Sequence, residues 1–139
     1  MSGFVNPEAA ACCALLKAVK TIAVVGLSPN RERPSYHVAQ EMQAFGFRVI
    51  PVHPAAREIL GERVYPALKD IPEKIDLVDV FRSAEFIDGV VDECLALGLK
   101  AIWIQEGIVN EPAALRAQAG GMTVVMDRCL YRDYRDFCR

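Results

Sequence analysis

"TIAVVGLSPNRERPSYHVAQEMQAFG", residues 21–46, joins an apolar run to a helical pattern across a polar turn. Thr21 to Gly26 is nearly continuous in apolar and β-branched residues, the composition of a strand covered by helices on both faces. Beyond the turn, Val38, Met42 and Phe45 fall on one helical face, with Ser35 as the expected cap and Gly46 as the stop. The turn carries Ser28, Asn30, Arg31 and Arg33, and Gly26 lets the backbone bend sharply. A strand, a glycine turn and a helix in this order aim backbone N–H groups at an anion. Ser28 and Ser35 can donate to phosphate oxygens, and Arg31 or Arg33 can supply charge.

The alternation continues outward. "FRVIPV" (47–52), "DLVDVF" (76–81), "AIWIQ" (101–105) and "MTVVM" (122–126) read as four more strands. Ser83 opens a helix that buries Phe86, Ile87, Val90, Val91 and Cys94 and ends at Gly98; Asn110 starts a shorter one closed by Gly120 and Gly121. Asn6-Pro7-Glu8 signals a helix within residues 1–20, with Cys12, Leu15, Leu16 and Val19 inward. Residues 127–139 form a terminal helical segment in which Leu130, Tyr134 and Phe137 pack back. The link 54–75, with Pro66 and Pro72, holds a short helix and an irregular excursion. The whole chain, 1–139, reads as one α/β domain: a Rossmann-like, doubly wound, five-stranded parallel sheet of order 3-2-1-4-5. Ligands of such sheets bind at the carboxyl ends of the strands, where the order reverses beside strand one.

Composition narrows the function classes. Sixteen basic against eighteen acidic side chains give a net charge of −2, which offers a nucleic acid no basic excess. No apolar run approaches the ~18 residues that span a bilayer, and Met1-Ser2-Gly3-Phe4 lacks the start of a secretory signal. The five cysteines are an odd number without a CxxC pair, so a reduced, cytoplasmic chain without a metal site is expected. Oligomeric state and protein partners have no signature.

The expected ligand is a phosphate compound, and an ordinary dinucleotide fits poorly. Ser28 and Arg31 stand where a dinucleotide fingerprint has its second and third glycines. The end of strand two offers His53 and Pro54, with Arg57 nearby, where an NAD site has an acidic residue for the ribose diol. A phosphorylated ribose suits this rim better, which leaves NADP or another ribose-phosphorylated adenosine compound.

Six ordered blocks, "IAVVGLSPNRERPSYHVAQEM", "FRVIPVHP", "ILGERVYPALKDIP", "DLVDVFR", "AIWIQEGI" and "VVMDRCL", resemble the small coenzyme A-binding protein family. That family is similar to the amino-terminal domain of the succinyl-CoA synthetase alpha subunit. The resemblance implies coenzyme A as ligand, with Gly26, Leu27 and Ser28 along its diphosphate and Arg33, Pro34 and Ser35 closing the loop. It implies that His53 and Pro54 border the nucleotide, that Phe81 and Arg82 flank the adenine or ribose, and that Gln105, Glu106 and Gly107 border the pantetheine arm. His53 departs from the pattern, since asparagine is commoner there.

No catalytic constellation stands out. The only histidines are His37 and His53, and Asp76 and Asp79 read as strand or surface residues. Cys129, beside Arg128 at the end of strand five, is a candidate contact for the coenzyme thiol. The expectation is a non-catalytic module that binds coenzyme A or an acyl derivative as sensor, carrier or regulator. An NADP-dependent reductase and a ligand-free interaction protein on the same fold are the alternatives.

Overall fold

A computed structural model describes residues 3–139; Met1 and Ser2, at the start of the expected N-terminal segment, lie outside the described residues. The strands are β1 (Thr21–Val25), β2 (Arg48–Val52), the short hairpin β3 (Glu58–Ile59) and β4 (Glu62–Arg63), β5 (Leu77–Val80), β6 (Ala101–Ile104) and β7 (Thr123–Met126). All but the hairpin form one parallel sheet of order β2-β1-β5-β6-β7, in which Ala23 of β1 faces Ile50 on one side and Val78 on the other.

The doubly wound sheet is present, with one correction to its numbering. The run 76–81, read as strand three outside strand two, lies on the other side of β1 as β5. The outer flank of β2 is taken by Tyr65, which makes a single parallel bridge to Val52. There the His53 N–H donates to the Tyr65 carbonyl at 3.0 Å, and the Tyr65 N–H to the Pro51 carbonyl at 3.1 Å. Counted as a strand, this bridge restores 3-2-1-4-5 and adds β7 as a sixth member. The link 54–75 spends its length on the hairpin and a 3₁₀ turn at Leu68–Asp70, and Pro66 next to Tyr65 lacks the N–H that would extend the pairing.

Helices cover both faces. On one, α3 (Ile87–Ala96) and α4 (Glu111–Ala119) pack over Ile50, Val78 and Ile102. On the other, α1 (Ala9–Ala18), α2 (Pro34–Ala44) and α5 (Leu130–Asp133) enclose Leu16, Ile22, Met42, Leu77 and Trp103. Trp103 is fully buried, and its Nε1–H donates to the Arg128 carbonyl at 2.9 Å, tying β6 to the loop after β7. No helix among the described residues is long and apolar enough to cross a membrane.

Local chemistry departs from expectation at several ends. Arg33, and not Ser35, is the N-cap of α2, because Pro34 supplies a preset φ at the first helical position. Asn110 caps α4 as expected, its Oδ1 accepting the Ala113 N–H at 3.1 Å. Asn6 precedes α1 but works elsewhere: its side-chain amide exchanges two 2.8 Å hydrogen bonds with the Met126 backbone. It thereby satisfies groups on the exposed edge of β7. Phe86, expected inward, is 47% exposed, because a 3₁₀ turn (Ala84–Phe86) precedes α3 and rotates it out of the helical stripe. The terminal segment is α5 followed by a π-helical turn, Tyr134–Cys138. Leu130 and Tyr134 pack back, whereas Phe137 is exposed.

The expectation of a fully reduced chain is overturned. Cys13 of α1 and Cys138 of the last turn form a disulfide, while Cys12, Cys94 and Cys129 are free thiols. Packing of the terminal turn on α1 brings the two Cα atoms to 5.2 Å, within the range a bridge requires.

Candidate functional site

Three adjoining cavities run along the carboxyl ends of the strands. The middle one, about 310 Å³, is lined by Gly26, Ser28, Arg33, Pro34, Ser35 and Phe81. Gly26 has φ +84°, and a Cβ there would lie 2.4 Å from the Phe81 carbonyl oxygen, so only glycine lets the ends of β1 and β5 approach this closely. The Ser28 N–H donates to Ser35 Oγ at 3.0 Å, and the Asn30 N–H donates to Ser28 Oγ at 3.1 Å. Both hydroxyl oxygens thus act as acceptors within the loop, and their hydrogens stay available to an anion. No side chain caps α2, so its first-turn amides add partial positive charge beside Arg33.

Gly26 also lines the second cavity, about 250 Å³, with His53, Pro54, Arg82, Phe86 and Glu93 among its walls. The Arg82 guanidinium lies 4.2 Å from the centroid of the Phe86 ring. A flat aromatic face with a cation over it is a surface on which a nucleobase can stack.

Pro34 and Phe81 pass from the middle cavity into the third and largest, about 550 Å³. Its walls include Gln105, Glu106, His37 and Cys129, with Tyr131, Arg132 and Arg135 from the terminal segment. Buried Gln105 accepts the Leu130 N–H through Oε1 at 3.2 Å, which holds the start of α5 against the end of β6. Arg132 pairs with Glu106, and its guanidinium is pushed above its ordinary pKa first by a hydrogen bond with the Cys129 sulfur and then by Glu106. Arg128 is engaged elsewhere, in a two-pronged pair with Asp133 at 2.6 and 2.9 Å.

The sequence model of a family described as a CoA binding domain matches residues 20–135. The chain belongs to this family. Its relatives include the uncharacterized protein YneT of Bacillus subtilis, 42% identical over 125 residues, covering 90% of this chain and 93% of that one. An ADP-forming acetate–CoA ligase II of Archaeoglobus fulgidus is 30% identical over 95 residues, or 66% of this chain. The chain spans only 14% of that ligase's length. A solved structure, a hypothetical protein from Pyrococcus horikoshii, superposes with a TM-score of 0.91 at 31% identity, covering 99% of both chains.

In this CoA-binding domain, twelve of the fifteen residues singled out from sequence line the three cavities. Leu27, Arg31 and Gly107 line none of them: Leu27 is in the core, Arg31 is exposed, and the Gly107 N–H donates to Asp127 Oδ1 at 2.7 Å. Arg57 is exposed and likewise outside the cavities. Sequence reasoning missed Phe86, His37 and the terminal Tyr131, Arg132 and Arg135, which reach the cleft from far along the chain. It also passed over Asp79 as a strand or surface residue. Asp79 is wholly buried in β5, opposite Val24 and Trp103, and neither carboxyl oxygen has a hydrogen-bond partner. Burial pushes this carboxyl well above its ordinary pKa. Asp76, by contrast, is held below the usual carboxylate range by the N–H groups of Lys20 and Thr21, which donate to it at 3.0 Å and outweigh its partial burial.

Proposed function

We propose that this domain binds coenzyme A or an acyl derivative without transforming it, as a sensor, carrier or regulator. The observation that carries the reading is the string of three cavities with its anion-binding element in the middle. Coenzyme A has the same order of parts: an adenosine 3′-phosphate, a 5′-diphosphate and a long thiol-bearing arm. The adenosine occupies the cavity of His53, Pro54, Arg82 and Phe86. The diphosphate lies at the N-terminus of α2 against Gly26, Ser28, Arg33 and Ser35. The arm follows Phe81, Gln105 and Glu106 toward Cys129. Membership of the CoA binding domain family and likeness to an acetate–CoA ligase support the ligand class. The reading involves neither nucleic acid nor membrane.

Calorimetry on the wild-type protein and on Ser28→Trp tests the reading. Coenzyme A binds the wild type, NADP binds at least tenfold more weakly, and the indole abolishes binding while the circular dichroism spectrum is unchanged. Equal affinity of the folded tryptophan variant for coenzyme A contradicts the assignment of the diphosphate to this loop.

A further inference from the structure

We infer that reducing the Cys13–Cys138 disulfide loosens one wall of the largest cavity and weakens the hold on the ligand's arm. Binding then answers to the redox state of the protein. This rests on the reading that the cleft holds coenzyme A. Tyr131, Arg132 and Arg135, which supply that wall, lie on α5 and the π-helical turn Tyr134–Cys138. Helical pieces this short do not persist alone, since an isolated helix needs roughly 12–15 residues to be even marginally stable. Their position depends on how the two ends of the segment are held.

The start is held firmly: Leu130 is wholly buried, its N–H donates to Gln105 Oε1, and Asp133 pairs with Arg128. The other end is held differently. Among the described residues, no hydrogen bond or ion pair joins 134–139 to anything outside 130–139; Arg135 pairs with Asp136 and reaches only Tyr131. Packing contacts remain, with Tyr134 on Phe45 and Phe47 at 4.9 and 5.2 Å between ring centroids, and the Arg139 guanidinium 4.9 Å from the Phe45 centroid. The bridge to α1 is thus the tie that fixes this end. It also bears on Tyr131, whose ring meets the edge of His37 in the same cavity wall. Cys138 is buried and Cys13 only partly so. A dithiol therefore attacks the Cys13 sulfur, forms a mixed disulfide there and expels the Cys138 thiolate, which takes a proton. The second thiol of the reagent then displaces Cys13 as a thiol, so that two electrons and two protons pass to the protein and the dithiol becomes a cyclic disulfide. The freed chain end opens locally at lower cost, and Tyr131 and Arg135 leave the wall for part of the time.

Calorimetry on oxidised and dithiol-reduced protein compares desulfo-coenzyme A, which has the arm but no thiol to exchange, with adenosine 3′-phosphate 5′-diphosphate, which has no arm. Reduction should weaken binding of the first by about fivefold or more, the lower end of ordinary coupling between two sites, and leave the second unchanged. By reciprocity, saturating desulfo-coenzyme A should raise the dithiol concentration that opens half of the bridges. Cys13→Ala should bind like the reduced wild type, with or without dithiol. Should that variant not fold, the two forms of the wild type decide alone, with circular dichroism reporting whether both are folded. Unchanged or tighter binding after reduction, equal weakening of both ligands, a dithiol effect that persists in Cys13→Ala, or unfolding on reduction overturns the switch and leaves the functional reading standing. Oxidised protein that binds neither compound overturns the functional reading itself.

Discussion

Replacing Asp79 by asparagine removes one proton from the pH dependence of folding. The carboxyl is fully buried between Val24 and Trp103 in neighbouring strands, with both oxygens unpartnered, and burial raises its pKa well above the ordinary 3.8. Between that value and the folded pKa, the native protein holds a proton that the unfolded chain has released. The stability associated with this proton is full below the unfolded value and is lost as pH rises toward the folded pKa. One proton corresponds to about 1.4 kcal/mol per pH unit. From pH 5 to pH 6, above the unfolded pKa, the wild type should therefore lose stability relative to Asp79→Asn, whose amide does not titrate, by at most about 1.4 kcal/mol. Urea unfolding of both proteins at the two pH values, with the disulfide intact, gives the four free energies required. Parallel stabilities across the interval would show that Asp79 is partnered or ionised in solution, and would refute the reasoning.

Further outcomes follow from the same geometry. Thiol titration of the denatured, unreduced protein should find the free thiols of Cys12, Cys94 and Cys129, and reduction should expose Cys13 and Cys138 as well. Because the bridge closes a separation of 125 residues, Cys138→Ser should cost about 4–5 kcal/mol of unfolding free energy by chain-entropy reasoning, read from denaturant midpoints. Burial pushes the Cys94 thiol up to about 12, so iodoacetamide at pH 9 should label Cys94 only on unfolding. Gly26→Ala should cost about 1–2 kcal/mol for its left-handed backbone alone, and the clash with the Phe81 carbonyl should also abolish ligand binding. Incubation with coenzyme A disulfide should transfer one coenzyme A to Cys129, releasing one free coenzyme A thiol. A mass spectrum without the adduct, or with the same adduct on Cys129→Ser, argues against placing the arm beside that sulfur.

The fold was legible where burial leaves a compositional trace. Runs such as Ile22–Val25 and Ile102–Ile104 are apolar because helices cover both faces of the sheet, and they carry the architecture. A one-residue bridge at Tyr65 has no periodicity, so the strand outside β2 could not be counted. Phe86 has the spacing of a buried helical residue, and only the 3₁₀ turn before α3 turns it toward the cleft. The loop from Gly26 to Ser35 was readable because glycine, serine and arginine are contiguous there. Arg132 and Arg135 reach the same cleft through tertiary packing, which leaves no local signal. The Cys13–Cys138 bridge was hidden for a similar reason, since the two residues are 125 positions apart and three other cysteines compete for the pairing.

A crystal structure of the protein grown with coenzyme A tests the central claim most directly. The account predicts the diphosphate at the N-terminus of α2 within hydrogen-bond distance of Ser28 and Ser35, the adenine beside Phe86, and the arm running past Gln105 toward Cys129. Coenzyme A bound elsewhere, or a cleft left empty at saturating ligand, would contradict it.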